Sequence, residues 1–131
     1  MGIFTVSVEV ESTAARSRKA EIREVMVDSG SEVTWLPEEN LKEIGVRVRK
    51  KDQPFVMANG TAISRDIGYA ILHCGDFETI DEVVFARKGD LRLLGARTLE
   101  GFNARVDPSR KRLVAAGPHP AVGNLKARTG G

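Results

Sequence analysis

Short apolar runs with a two-residue period, each cut off by Gly, Asn or Asp, most narrow what this chain can become. Val6, Val8 and Val10 fall on one side of an extended segment, and Thr5, Ser7, Glu9 and Glu11 on the other. That alternation predicts a half-buried strand. Residues 12–19 are polar and read as a loop. Residues 20–27 predict a second strand that ends in the apolar run Val25-Met26-Val27 and stops at Asp28-Ser29-Gly30-Ser31. Residues 55–58 and 61–72 are strand-like and flank Asn59-Gly60, a strong hairpin signal that predicts a type I′ turn. In the return strand Ile63, Ile67, Tyr69 and Ile71 are expected to share a face. Cys74-Gly75-Asp76 predicts a turn, residues 77–85 a strand, and residues 87–90 a break. Residues 46–48 read as a brief strand. Residues 104–107 and 111–115 read as two more, around a turn at Asp107-Pro108.

Helix signals are few. Pro37 suits a first helical position, Glu38 and Glu39 a first turn, Leu41 and Ile44 one face, and Gly45 an end. Residues 96–100 predict one or two further turns. The expectation is an all-β fold, mostly β with one or two short helices. It comprises one domain over residues 1–117 and a frayed tail over 118–131 that is rich in Pro, Gly and Ala.

The chain has 131 residues with 20 Lys and Arg against 18 Asp and Glu, a formal net charge of +2. That balance and the scarcity of aromatics exclude a charge-driven nucleic-acid binder as the default, so no nucleic-acid partner is expected. No apolar run approaches the ~20 residues of a membrane span, and the N-terminal residues do not read as a signal peptide. The single cysteine, Cys74, excludes an intrachain disulfide and fits a reducing compartment, so a cytoplasmic location is expected.

The stretch ending the second strand carries the chemistry. A carboxylate after an apolar strand is costly to bury unless it is paired or hydrogen-bonded. Gly30 lets another backbone approach. Two such carboxylates brought together hold one proton between them. One can then activate water while the other protonates a substrate carbonyl. As a tripeptide alone, Asp-Ser-Gly is more often a loop than a site.

Context changes that weighting. Val25-Met26-Val27-Asp28-Ser29-Gly30-Ser31-Glu32-Val33-Thr34-Trp35-Leu36 and Leu93-Leu94-Gly95-Ala96-Arg97-Thr98-Leu99, with the Asn59-Gly60 hairpin between them, resemble the retropepsin-like aspartic proteases. The likeness covers residues 3–116 and is strongest to small single-domain prokaryotic members. It implies a closed β-barrel with a flap hairpin. Asp28 would be the catalytic carboxylate, and Ser29 would bond across to its counterpart. Gly30 and Ser31 would support the loop, and Leu94 and Gly95 would pack beneath it. Ala58, Asn59 and Gly60 would form the flap tip over a peptide substrate. Ser31 replaces the commoner alanine, and Arg97 stands one position later than the family's usual Gly-Arg, with a bridge to Glu32 possible.

One Asp-Ser-Gly occurs where the mechanism needs two, so the expected active species is a two-fold homodimer. The implied activity is aspartic endopeptidase; the alternative is a non-catalytic peptide-binding or dimerisation module of the same fold. No cofactor or metal is expected. His73 beside Cys74 matches no zinc spacing, and Cys74 reads as a packing residue. Arg47, Arg49, Lys50 and Lys51 read as a charged edge. Asp66, Asp76, Asp81 and Asp90 read as solvated, and Trp35 reads as core.

Overall fold

A computed structural model describes residues 4–14 and 18–119 of the protein. Among them run nine strands and two short helices. The order is β1 (Thr5–Ser12), β2 (Lys19–Val27), β3 (Thr34–Pro37), α1 (Glu38–Glu43), β4 (Lys50–Val56), β5 (Ala62–Cys74), β6 (Phe77–Ala86), β7 (Leu93–Leu94), α2 (Ala96–Phe102), β8 (Ala104–Asp107) and β9 (Arg112–Ala115). The protein is mostly β, as its alternating runs predict. Of the expected tail, residues 120–131 lie outside the described residues, as do residues 1–3 and 15–17.

Seven strands form one sheet in the order β1-β2-β7-β3-β6-β5-β4, and β1 also pairs with β5. The pairs run from Glu9 with His73 to Ser12 with Ala70. The hydrogen-bonded path that leaves β1 through β2 therefore returns to β1 through β5, while β4 hangs on the far half of β5. Bulges help the strands curve. In β2 the register with β1 shifts next to Glu24, whose φ is 56°. In β4 the register with β5 shifts next to Asp52, whose φ is 51° and whose N–H donates to Asp66 Oδ1 at 3.0 Å.

The two-residue period sorts the apolar side chains into two clusters. Val83 and Phe85 of β6, Ala70 and Leu72 of β5, Leu36 of β3 and Leu94 of β7 join the main core with Val8, Val10 and Val25. Their sequence neighbours face the other way. Val84 and Ala86, Ile67, and Val33 and Trp35 form a second cluster, with Phe55, Ile63 and Leu93 packed on it. Strands buried on both faces read as continuous apolar runs, and Val83-Val84-Phe85-Ala86 is one. Ile63 and Ile67, of the face expected from Ile63, Ile67, Tyr69 and Ile71, belong to this second cluster. Ala70 and Leu72 point into the main core, while Tyr69 is exposed.

Pro37 ends β3 and caps α1 rather than opening it, and the helix begins at Glu38. Leu41 and Ile44 are buried, and Gly45 closes the turn at φ 86°. Helix α2 runs past the expected residue 100 because Leu99 and Phe102 are buried, Phe102 against Phe77 with centroids 5.8 Å apart. Residues 46–48 form no strand. The Arg47 carbonyl lies so close to Gly68 that a Cβ there would meet it at 2.5 Å, and Arg49 N–H donates to Ile67.

The β4–β5 hairpin exists where Asn59-Gly60 placed it, with a different turn. Only Gly60 has positive φ, 86°. The Gly60 N–H donates to the Met57 carbonyl, and the Met57 N–H to the Thr61 carbonyl, both at 2.8 Å. This is a three-residue loop ending in a left-handed glycine rather than a type I′ turn. The Asn59 side chain accepts the Thr61 N–H at 2.9 Å.

Candidate active site

Strand β2 delivers Asp28 to the end of the sheet beside β7. Val27 pairs with Leu94, and the Asp28 N–H donates to the Leu94 carbonyl at 3.0 Å. The chain then turns tightly. The Gly30 N–H donates to Asp28 Oδ1 at 2.9 Å and the Ser31 N–H to the Asp28 carbonyl at 3.1 Å. Among the described residues Asp28 Oδ2 has no partner. Ser29 is exposed and its hydroxyl likewise makes no hydrogen bond among them. The Ser31 hydroxyl donates to the Val33 carbonyl at 3.0 Å, inside its own loop.

Leu94 and Gly95 sit directly against this loop. Leu94 is fully buried. A Cβ on Gly95 would come within 2.4 Å of the Val33 carbonyl oxygen and 2.9 Å of the Ser31 carbonyl oxygen, so only glycine fits. The Ala96 and Arg97 N–H groups at the start of α2 donate to the carbonyls of Ser31 and Glu32 at 2.7 and 3.1 Å. Arg97 also meets Glu32 at 3.4 Å, in an exposed pair, and Glu82 at 3.1 Å. Lys50 pairs with the same Glu82, and that carboxylate raises the Lys50 pKa.

Asp28 opens onto a groove of about 520 Å³. Gly30, Ser31 and Glu32 flank it, Val33 just before β3 and Trp35 within it line one side, and Phe55, Val56, Met57 and Ala58 line it from the hairpin. Asp90, Leu91 and Leu93 complete the wall. Trp35 is both core and lining: it is 6% exposed and stands 5.0 Å from Phe55, ring centre to ring centre. Val56 and Leu91 are 78% and 61% exposed, a large apolar surface for two side chains at the groove.

Of the residues singled out from sequence, Asp28, Gly30 and Ser31 meet Ala58 around this groove, and Leu94 and Gly95 support it from behind. Asn59 and Gly60 stand at the exposed hairpin tip and do not line it. Phe55, Val56, Met57 and Leu91 are not among the residues singled out from sequence, and Leu93 stands there only as part of the Leu93-Leu94-Gly95 element. The visible signal for the first three is the apolar run leading into Asn59-Gly60, and for Leu91 and Leu93 the apolar stretch 91–95.

The hairpin is tied to this wall by an ion pair. Arg65 of β5 grips Asp90 through two hydrogen bonds of 2.7 and 2.9 Å, and both side chains are largely buried. The Arg87 N–H adds a third bond to Asp90 at 2.8 Å. The Arg65 guanidinium, then the Arg87 amide, hold the Asp90 carboxyl below its ordinary pKa despite burial. Asp90 is therefore no solvated turn residue, and neither is Asp81, which accepts the Thr98 hydroxyl at 2.8 Å.

Elsewhere His73 lies between Glu11 and Glu78, 3.0 and 3.4 Å away, and burial pushes the Cys74 thiol up. Among the described residues no His, Cys, Asp and Glu cluster could hold a metal ion, and no helix is long and apolar enough to cross a membrane. No protein-family model and no curated protein matches the chain.

Proposed function

We propose that the protein is a retropepsin-like aspartic endopeptidase that works as a homodimer, with one Asp28 from each copy at the two-fold axis. The observation that carries this reading is Asp28 itself. It stands on a tight Asp-Ser-Gly turn, backed by the Leu94–Gly95 peptide, at one end of an apolar groove large enough for peptide side chains. In the same reading the strand circuit is a closed barrel, the β4–β5 hairpin is a flap, and Ser29 bonds to its counterpart.

The chemistry follows from two like carboxyls sharing one proton. The ionised one takes a proton from water as the water oxygen attacks the scissile carbonyl carbon. The protonated one gives its proton to the carbonyl oxygen. The tetrahedral intermediate then collapses: the carboxyl that took the water proton gives it to the leaving nitrogen, the C–N bond breaks, and one hydroxyl proton of the intermediate returns to the other carboxylate, so the pair again holds one proton. The extended peptide lies along strand edges, with its side chains against Trp35, Phe55 and Leu93.

Asp28→Asn tests this against a mixed peptide library. The wild type, assayed between about pH 4 and 7, is expected to cleave with a bell-shaped profile, because the pair must hold one proton. The variant is expected to lose at least ~10³-fold in kcat, and a pepstatin-type inhibitor should block the wild type. A wild type that binds peptides in the groove but cuts none across that window would instead favour the non-catalytic module.

A further inference from the structure

The peptide group between Leu94 and Gly95 is held at both ends. Its oxygen accepts the Asp28 N–H at 3.0 Å, and its own N–H donates to Thr34 Oγ1 at 2.9 Å. Thr34 Oγ1 lies 2.6 Å from Thr98 Oγ1, and both residues are fully buried. Thr98 Oγ1 in turn donates to Asp81 Oδ2 at 2.8 Å, and Asp81 Oδ1 accepts the Glu82 N–H at 2.7 Å.

Proton counting fixes the direction of every bond. A hydroxyl has one proton to give, and a carboxylate only accepts. Thr98 therefore donates to Asp81, which leaves Thr34 to donate to Thr98 and to accept from Gly95. The result is one directed chain from the Asp28 amide through the Leu94–Gly95 peptide, Thr34 and Thr98 to the Asp81 carboxylate. It joins the ends of β2 and β7 to β3, α2 and β6. Aligned hydrogen bonds in a buried setting polarise one another, and the carboxylate at one end reinforces them all.

We infer that Asp81, Thr98 and Thr34 are positioning residues for Asp28. They act through the Leu94–Gly95 peptide, whose orientation they fix so that its carbonyl holds the Asp28 backbone in register. None of the three lines the groove. The role rests on the reading of Asp28 as the catalytic carboxyl. A valine at position 34 or 98 keeps the branched shape but removes the hydroxyl and interrupts the chain. A serine restores it.

Full-length Thr34→Val, Thr34→Ser, Thr98→Val, Thr98→Ser and Asp81→Asn are compared in two measurements. The first is cleavage of the best library peptide. Each valine variant is expected to lower kcat about tenfold, the scale of one broken buried hydrogen bond, with KM changed less than about threefold. Serine should restore kcat to within about twofold. Asp81→Asn, which keeps an acceptor but no charge, should fall between. The second is amide hydrogen exchange. The Asp28 amide is expected to exchange about tenfold faster in the valine variants while the core amides of Ala70 and Leu72 keep their protection. Losses of kcat that only follow the folded fraction, or exchange that rises equally at Asp28 and Leu72, would overturn the inference. If the wild type cleaves nothing, the proposed activity fails and the exchange comparison alone decides whether the chain positions Asp28.

Discussion

A methyl group at position 95 has nowhere to go. The atoms in its way are backbone, the Val33 and Ser31 carbonyls; the Ser31 carbonyl is held by the Ala96 N–H of α2, and the Val33 carbonyl, just before β3, by the Ser31 hydroxyl. At position 30 the nearest atom is the Asp28 carboxyl oxygen at 3.2 Å, which can turn aside. Gly95→Ala is expected to cost about 3 kcal/mol and Gly30→Ala about 1 kcal/mol in urea unfolding. Equal losses would contradict the backbone origin of the first. Asp90 makes the second residue-scale case. Its folded pKa lies below the ordinary 3.8, so its pairing with Arg65 adds stability above that value. This is lost as pH falls through the lower folded value. Asp90→Asn is expected to be destabilised by about 1–2 kcal/mol at pH 7, and the difference from wild type should shrink below about pH 4 in unfolding curves taken across pH. From sequence, Asp90 and Asp81 looked solvated because each stood among polar or turn residues. Their partners Arg65 and Thr98 lie 25 and 17 positions away, beyond the reach of any local pattern. Asp28 was legible because its whole signal is local: an apolar strand, a carboxylate and a glycine in sequence.

At the scale of elements, the alternation in β1 and the apolar run in β6 announced their strands, and the hairpin followed from Asn59-Gly60. The turn type did not. Asn-Gly tolerates positive φ at both positions, but here Met57 bonds to both Gly60 and Thr61 and only Gly60 takes the left-handed conformation. Nor was the double burial of β5 visible. Ile67 and Ala70 are both buried on opposite faces because β5 passes between two clusters, which only the sheet order decides. Gly60 has open space around it, so a side chain there meets strain and no clash. Gly60→Val is expected to lower stability by about 1–2 kcal/mol, from φ alone. On the flap reading it should reduce kcat/KM by more than tenfold, because the tip can no longer seat. Denaturation and kinetics on one preparation separate the two effects, and a purely proportional loss would remove the hairpin from the catalytic cycle.

For the molecule as a whole, the single Asp28 and the exposed Val56 and Leu91 at the groove lead to the same expectation. Sedimentation equilibrium should show a dimer at about micromolar concentration, and dilution below its dissociation constant should make specific activity fall with protein concentration. A strict monomer that still cleaves peptides would exclude a shared site. The sheet circuit has a different bearing, on how the chain first folds. Strand β1 waits for β5, some sixty residues downstream, and β2 is completed by β7, later still. Few of these pairings can form while the early segments are alone, so the entropy of closing long loops precedes most of the reward. Such a chain should acquire its native state late and cooperatively, in milliseconds to seconds or so. Neither half should persist without the other, and a nascent N-terminal portion would depend on protection until synthesis has passed β7.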